Sequence, residues 1–392
     1  MPPKEIPPHI RDLHGEEAYT VLARVVELEK KGKNIVKLQI GQPDFLTPEP
    51  VVKAAVASLE RGDHGYAPTL GIWELRQAIA KAESEKRGFE VSPECVAIMP
   101  GGKTGIFVAM SLVLQQGEEV IYPDPGFPSY RNVCDFLSAV PKPLPIVEDK
   151  NFSFDHEAFD SLVSPKTKLI VLNSPSNPTG GVISKDDLTY VAEAAKKNGS
   201  WVISDEIYEE LVFDGERAPS IYDLPGMPER TLVLNSFSKT YAMTGWRLGY
   251  IIAPRELMPV IDVISTNMFA CATTFTQYGA LAAFSLTKDV ERMRSEYAKR
   301  RDYLVAALNN VPGVSCTMPK GAFYAFPNIK SFGLTSEEIA ERLLTEFDVA
   351  VLPGTAFGPQ GEGYLRLSYA TSMENLEEGI RRLTKGFASL KK

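Results

Sequence analysis

From about residue 95 to residue 252, short runs that are apolar throughout alternate with stretches whose apolar residues recur every three or four positions. The runs CVAIM (95–99), EVIYP (119–123), TKLIVLN (167–173), SWVISD (200–205), TLVLN (231–235) and LGYII (248–252) read as strands buried on both faces. Between them TGIFVAMSLVLQQ, DHEAFDSLV and SKDDLTYVAEAAKKNG read as helices. The last has a serine ahead of an acidic first turn and lysines followed by glycine at its end. That order predicts an α/β architecture, a largely parallel sheet covered by helices. After Pro254 the texture changes. KDVERMRSEYAKRRDYLVAALNN (288–310) is a long helix by its spacing, and short strands are predicted around 322–326, 349–352 and 364–369, as in a smaller α+β domain. The N-terminal segment through IVKLQI precedes the main alternation and is grouped with that smaller unit.

Composition narrows the function classes. The 392 residues are enough for two domains, and 44% hydrophobic with 23% charged residues is ordinary for a water-soluble globular chain. The formal charge is -8 and no dense Lys/Arg run occurs, so nucleic acid is not an expected partner. Four scattered cysteines without a CxxC pair argue for buried reduced thiols rather than a metal site or a disulfide framework. The start, MPPKEIPPHIRDL, is proline-rich and polar, and no apolar stretch is long enough to span a membrane; a cytoplasmic enzyme without a membrane partner is expected.

Loops that follow four of the strands would open on one edge of the sheet, the edge where ligands of open α/β sheets bind. MPGGKTGIF (99–107) places a glycine pair between strand and helix, where free N–H groups and the helix dipole can hold a phosphate. A tight turn without a ligand would use the same residues. A P-loop does not fit, because Ala97 stands where that motif needs its first glycine. Asp205 and Glu206 follow WVIS directly, and Tyr208 is close enough for a carboxylate and a phenol to face one ligand. Asp205 as the cap of the next turn is the competing structural reading. SNPTGG (176–181) is common turn chemistry in an informative place. Lys239, in NSFSKTYAMTGWRLGY (235–250), stands among small hydroxyl residues with Arg247 as almost its only charged neighbour, unlike a lysine that serves solubility.

In this order SNPTGG, SDEIYEEL and SFSKTYAMTGWRLGY resemble the signature of the class I pyridoxal-phosphate (PLP) aminotransferases, the aspartate-aminotransferase-like enzymes of fold type I. LQIGQPDF, YAPTLGIWELR, PGGKTGIF, YPDPGFPSY and YLRLSYA resemble that family's recurring segments, so the match covers nearly the whole chain. The resemblance implies a large PLP-binding domain, 48–290, with a mostly parallel seven-stranded sheet, and a smaller α+β domain made of 1–47 and 291–392. It implies an enzyme that moves the amino group of an L-amino acid to a 2-oxo acid in a ping-pong cycle. Glutamate with 2-oxoglutarate would be one pair; aspartate, an aromatic amino acid or alanine would supply the other.

The resemblance also implies roles. Lys239 would hold PLP as an internal aldimine and, once freed, move a proton at the substrate α-carbon. Asp205 would pair with the protonated pyridine nitrogen. Tyr208 and Asn177 would approach the ring O3′, and Phe127 would stack on the ring. Gly102, Lys103 and Thr104 would seat the phosphate, with Ser236 and Arg247 adding donors. Tyr66 would reach the phosphate of a neighbouring subunit, making a homodimer with shared sites. Arg366 would grip the substrate α-carboxylate, helped by the backbone at Gly41 and by Asn177. Side-chain selectivity is expected to involve the segment Gly15 to Thr20 and the helix following Thr104. A PLP-dependent lyase of the same fold (β-elimination or C–S cleavage) would use the same motifs and stays open. A nicotinamide oxidoreductase fits less well, since PGGKTG lacks the G-x-G-x-x-G spacing. A non-catalytic relative would have no use for an intact set of lysine, aspartate and arginine.

Overall fold

The computed structural model describes residues 6–11, 13–215 and 217–390. Residues 1–5 and Asp12 of the proline-rich start, and so part of the 1–47 segment, lie outside the described residues. The main sheet has strands β1 (Val96–Met99), β2 (Glu119–Asp124), β3 (Val140–Val147), β4 (Ser153–Phe154), β5 (Thr167–Asn173), β6 (Trp201–Asp205), β7 (Thr231–Ser236) and β8 (Gly249–Ile252). Their order across the sheet is β1-β8-β7-β6-β5-β2-β3-β4. Strands β7, β6, β5, β2 and β3 pair in parallel, while β8 runs antiparallel to both β7 and β1. Seven strands make the expected sheet, and the two-residue β4, antiparallel to β3, extends it to an eighth. Every residue of β1, β2, β7 and β8 is buried, as strands covered by helices on both faces must be.

The apolar pattern does not announce β3, because its sequence is VPKPLPIV. Val140 donates its N–H to the Glu118 carbonyl on the β2 side at 2.8 Å, so the residues that alternate with it, Pro141, Pro143 and Pro145, place their missing N–H on the side away from β2. Proline at alternate positions is tolerated there because no ladder bond is lost. The helix Lys185–Asn198 is bounded as its sequence predicts: Ser184 Oγ accepts the Asp187 N–H at 3.0 Å, and Gly199 ends it at φ 73°.

Beyond β8 the long helix Thr287–Asn309 leads to a three-stranded antiparallel sheet in the order Tyr324–Ala325, Leu365–Ser368, Leu352–Pro353. Val36–Lys37 pairs in parallel with Val349–Ala350, which attaches the N-terminal segment to this C-terminal part. One apolar cluster joins Tyr208 and Leu211, just past β6, to Leu304, Phe323, Leu343 and Phe387. Each such side chain, when fully buried, stabilises by roughly 1.5–3 kcal/mol. That shared core holds the strand carrying Arg366 against the carboxyl edge of the main sheet. Cys134 and Cys316 are buried, whereas Cys95 and Cys271 are only partly so. Among the described residues, no helix is long and apolar enough to cross a membrane, and no His/Cys/Asp/Glu group is arranged to hold a metal ion.

Candidate active site

Strands β5, β6 and β7 end at one cleft, which they line with Asn173, Asp205 and Asn235, and β1 reaches it through the turn into the helix Gly102–Val113. The cleft is a cavity of about 520 Å³, walled on its other sides by Ile40–Gln42, Tyr324 and Arg366. Ten of the thirteen residues singled out from the sequence line it; Thr104, Ser236 and Tyr66 do not.

Lys239 rides on the single turn Phe237–Thr240, whose first free N–H, that of Ser238, is taken by Ser236 Oγ at 3.1 Å. The ammonium donates to the Gly41 carbonyl at 2.6 Å. Gly41 has to be glycine, since a Cβ there would lie 2.1 Å from the Tyr324 hydroxyl. Burial, then the positive charges of Arg366, Arg247 and Lys103, bring the Lys239 pKa down to about 7. Of the three cations, Arg247 is the neighbour noted in the sequence, whereas Arg366 and Lys103 come from distant parts of the chain.

Asp205 uses both oxygens. Oδ2 accepts a hydrogen bond from the Tyr130 hydroxyl at 2.7 Å, and Oδ1 accepts one from the Ile207 N–H at 3.2 Å. The turn-capping role is therefore present together with a place on the cavity wall. Burial raises the Asp205 pKa to about 6, against the lowering effect of those two donors. Tyr208 and Tyr324 share a hydroxyl–hydroxyl bond of 2.7 Å. Asn177 donates its N–H to Asn173 Oδ1 at 2.9 Å and accepts from Arg366 Nη1 at 3.3 Å.

Arg366 is 3% exposed. Its guanidinium donates to Asn177 and to the Gln39 carbonyl and lies 4.5 Å from the Tyr324 ring centroid, while Nε has no partner. Among the described residues no carboxylate pairs with it. A buried cation without a counterion is costly, so this one calls for an anion from outside the chain.

Around the glycine turn, Gly101 has φ 85°, and a Cβ on it would come within 2.3 Å of Arg247 Nη2. Arg247, itself at φ 52°, donates Nη1 to the Thr244 carbonyl at 3.0 Å and faces the amino end of the helix Gly102–Val113 with no carboxylate partner among the described residues. A free arginine, a glycine without a Cβ and a helix N-terminus make an anion seat. Thr104 instead donates its hydroxyl to the Pro100 carbonyl at 3.1 Å, and Ser236 donates to the Leu248 carbonyl at 2.8 Å. Lys103 pairs with Glu16. Tyr66 is 92% exposed, away from the cavity of its own chain.

Sequence reasoning did not single out Tyr130, Asn173, Tyr324 or Gln39; Glu16, also on the wall, belongs to the segment Gly15 to Thr20 expected to bear on selectivity. Tyr130 stood inside the quoted GFPSY, but its contact with Asp205 spans 75 positions and leaves no mark in local spacing.

The family model "Aminotransferase class I and II" matches residues 33–383. The putative aminotransferase YugH of Bacillus subtilis is 42% identical over 92% of this chain and 94% of its own length. The aspartate aminotransferase of Pyrococcus abyssi is 41% identical over 90% of this chain and 92% of its own. Among solved structures, the aromatic aminotransferase from Pyrococcus horikoshii OT3 superposes with a TM-score of 0.88 at 39% identity, covering 93% of this chain and 99% of that one. The aspartate aminotransferase from Thermus thermophilus with maleate gives a TM-score of 0.93 at 35% identity, covering 98% and 100%.

Proposed function

Since the chain belongs to the class I and II aminotransferases and takes their cofactor, PLP, we propose that it moves the amino group of an L-amino acid to a 2-oxo acid in a ping-pong cycle centred on Lys239. The observation that carries this reading is the buried, counterion-free Arg366 across the same cavity from a lysine whose pKa is brought down to about 7. One group receives a carboxylate; the other handles a proton.

The residues suit the cofactor. The anion seat at Gly101, Gly102 and Arg247 matches a phosphate, the Lys239 amine matches an aldehyde, and the buried Asp205 carboxylate matches a ring nitrogen that carries a proton. When bound, PLP supplies an electron sink for the charge that develops at the substrate α-carbon. This chain would do the rest. Arg366, with Asn177 and the Gly41 segment, fixes the α-carboxylate and so aims the Cα–H bond. Lys239, close to half neutral near pH 7, takes that proton and returns it. Tyr208 and Asn177 offer polar groups to the ring oxygen, Phe127 offers its face to the ring, and Tyr130 keeps Asp205 oriented.

The finer reading takes glutamate and 2-oxoglutarate as one pair, with aspartate, an aromatic amino acid or alanine on the other side. It includes a cytoplasmic setting and a homodimer in which Tyr66 completes the partner's phosphate seat. Supporting the dimer, Tyr66 and Leu46 are 92% and 90% exposed. Val52, Val56 and Leu59 on the helix Glu49–Arg61, with Val260 and Val263 on the helix Met258–Phe269, add exposed apolar surface. The proposed division is 48–290 against 1–47 with 291–392, and the helix Thr287–Asn309 runs across that boundary. The test is the visible spectrum of the PLP-loaded protein before and after L-glutamate. Conversion of the cofactor to its amine form, reversed by a 2-oxo acid, is expected. Release of ammonia and pyruvate with no 2-oxo acid present would replace this reading with a lyase.

A further inference from the structure

Three of the four cations on the cavity wall, Arg366, Arg247 and Lys239, have no ion-pair partner among the described residues, and the fourth, Lys103, has one. That partner is Glu16, which immediately precedes the helix Glu17–Lys30 and also lines the cavity. Its side chain is 17% exposed, and it accepts a hydrogen bond from Ser129 Oγ at 3.3 Å. The Lys103 ammonium also lies 5.3 Å from the Tyr19 ring centroid and 5.6 Å from that of Phe127. Leu22 and Ile106 add apolar wall. Glu16 thus shares one cavity with Arg366 and Lys239, among the wall residues Tyr19, Leu22 and Ile106.

We propose that Glu16 is a specificity-determining residue: an internal carboxylate that occupies Lys103 and so favours substrates with uncharged aromatic or long apolar side chains over dicarboxylic ones. The inference rests on the reading of the cavity as an amino-acid site. An uncharged side chain leaves the Glu16–Lys103 pair intact and packs against Tyr19, Leu22 and Ile106. A side-chain carboxylate must displace Glu16 from Lys103 or enter unpaired beside it. Displacement exchanges one ion pair for another and gains little, while entry beside Glu16 sets two negative charges together. A dicarboxylic acid can still act as the second substrate, but without the full benefit of Lys103.

The test uses the PLP-loaded protein and two acids that cannot react, maleate and 3-phenylpropionate, with dissociation constants measured by titration calorimetry. Glu16→Gln keeps the shape and removes the charge; the ratio of maleate to 3-phenylpropionate affinity is expected to rise about fivefold. Lys103→Gln should move the same ratio down by a similar factor. A Glu16→Gln ratio within twofold of the parent overturns the proposal, as does a fall. If the parent protein binds neither acid, the amino-acid reading of the cavity itself fails, and this inference fails with it.

Discussion

The Tyr130 hydroxyl donates to Asp205 Oδ2 at 2.7 Å in a buried setting, a contact between the helix Ser129–Phe136 and the end of β6. The bond favours the charged form of Asp205, whose pKa stands at about 6 even with that help. Tyr130→Phe should therefore raise it further, leaving more of the carboxyl protonated at neutral pH. A hydrogen bond to a charged group is worth about 1.5–3 kcal/mol, so PLP should bind roughly tenfold more weakly at pH 7. Because only the carboxylate form pairs with a protonated ring nitrogen, the lost affinity should return as the pH is raised. Equilibrium PLP titration from pH 6 to pH 9 checks both the size and the direction.

Lys239→Met should lower turnover by more than about 10³-fold, measured with saturating PLP and amino acid. The same change should stabilise the PLP-free protein. The folded-state pKa, about 7, is depressed from the ordinary 10.5, so between those values the unfolded chain holds a proton that the folded chain has lost. Stability of the parent thus rises with pH across that window, and the cost of the buried ammonium is complete below pH 7. The melting temperature of Lys239→Met should exceed the parent's most at pH 6 to 7, on the order of 2 °C per kcal/mol, with the gap narrowing toward pH 10. Thermal melts across pH test this without any activity assay.

Arg366→Lys should behave nearly as badly as Arg366→Ala. The guanidinium reaches Asn177 and the Gln39 carbonyl while keeping further donors for a carboxylate, and an ammonium cannot span that fork. Losing a buried charge pair costs about 2–5 kcal/mol, so kcat/KM should fall roughly 30-fold or more for either variant. Steady-state kinetics on one amino acid across the parent and both variants measures it.

Gly101→Ala should weaken PLP binding about tenfold. The new methyl would sit 2.3 Å from Arg247 Nη2, and φ 85° with ψ 167° is a region essentially reserved for glycine, costing any residue with a Cβ about 1–3 kcal/mol. The arginine can swing away, but only by leaving the anion seat. Inorganic phosphate, competed against PLP in a binding titration, should show the same loss.

The parallel sheet and its helices were legible because strands buried on both faces read as unbroken apolar runs, and because Ser184 and Gly199 are helix bounds with local causes. β3 escaped that logic: its prolines are acceptable because β4 covers its outer side only at Ile146 and Val147, which is a property of the assembled sheet. Asp205 ends β6, while Asn177 and Lys239 lie a few residues past β5 and β7, and their shared place beyond one sheet edge is what made them candidates. Arg366 lies on a four-residue strand that a sequence reading would leave at the surface, and only its resemblance to a known segment marked it. Thr104 and Ser236 donate their hydroxyls to the carbonyls of Pro100 and Leu248, contacts that residue type does not reveal. Tyr130, Tyr324 and Glu16 act through contacts between distant parts of the chain, and local spacing carries no trace of these.

The prolines of β3 bear on how two copies of the chain can meet. Strand-by-strand zippering needs a row of free donors along a sheet margin. One margin of this sheet lacks three of them at Pro141, Pro143 and Pro145, and at the opposite margin the Ile98 N–H is already taken by the Leu70 carbonyl at 3.0 Å. A newly made chain crowded by its siblings thus finds little to template a fibril on. Exposed apolar residues lie instead on the helices Glu49–Arg61 and Met258–Phe269, where any contact would be made by side chains rather than by backbone donors.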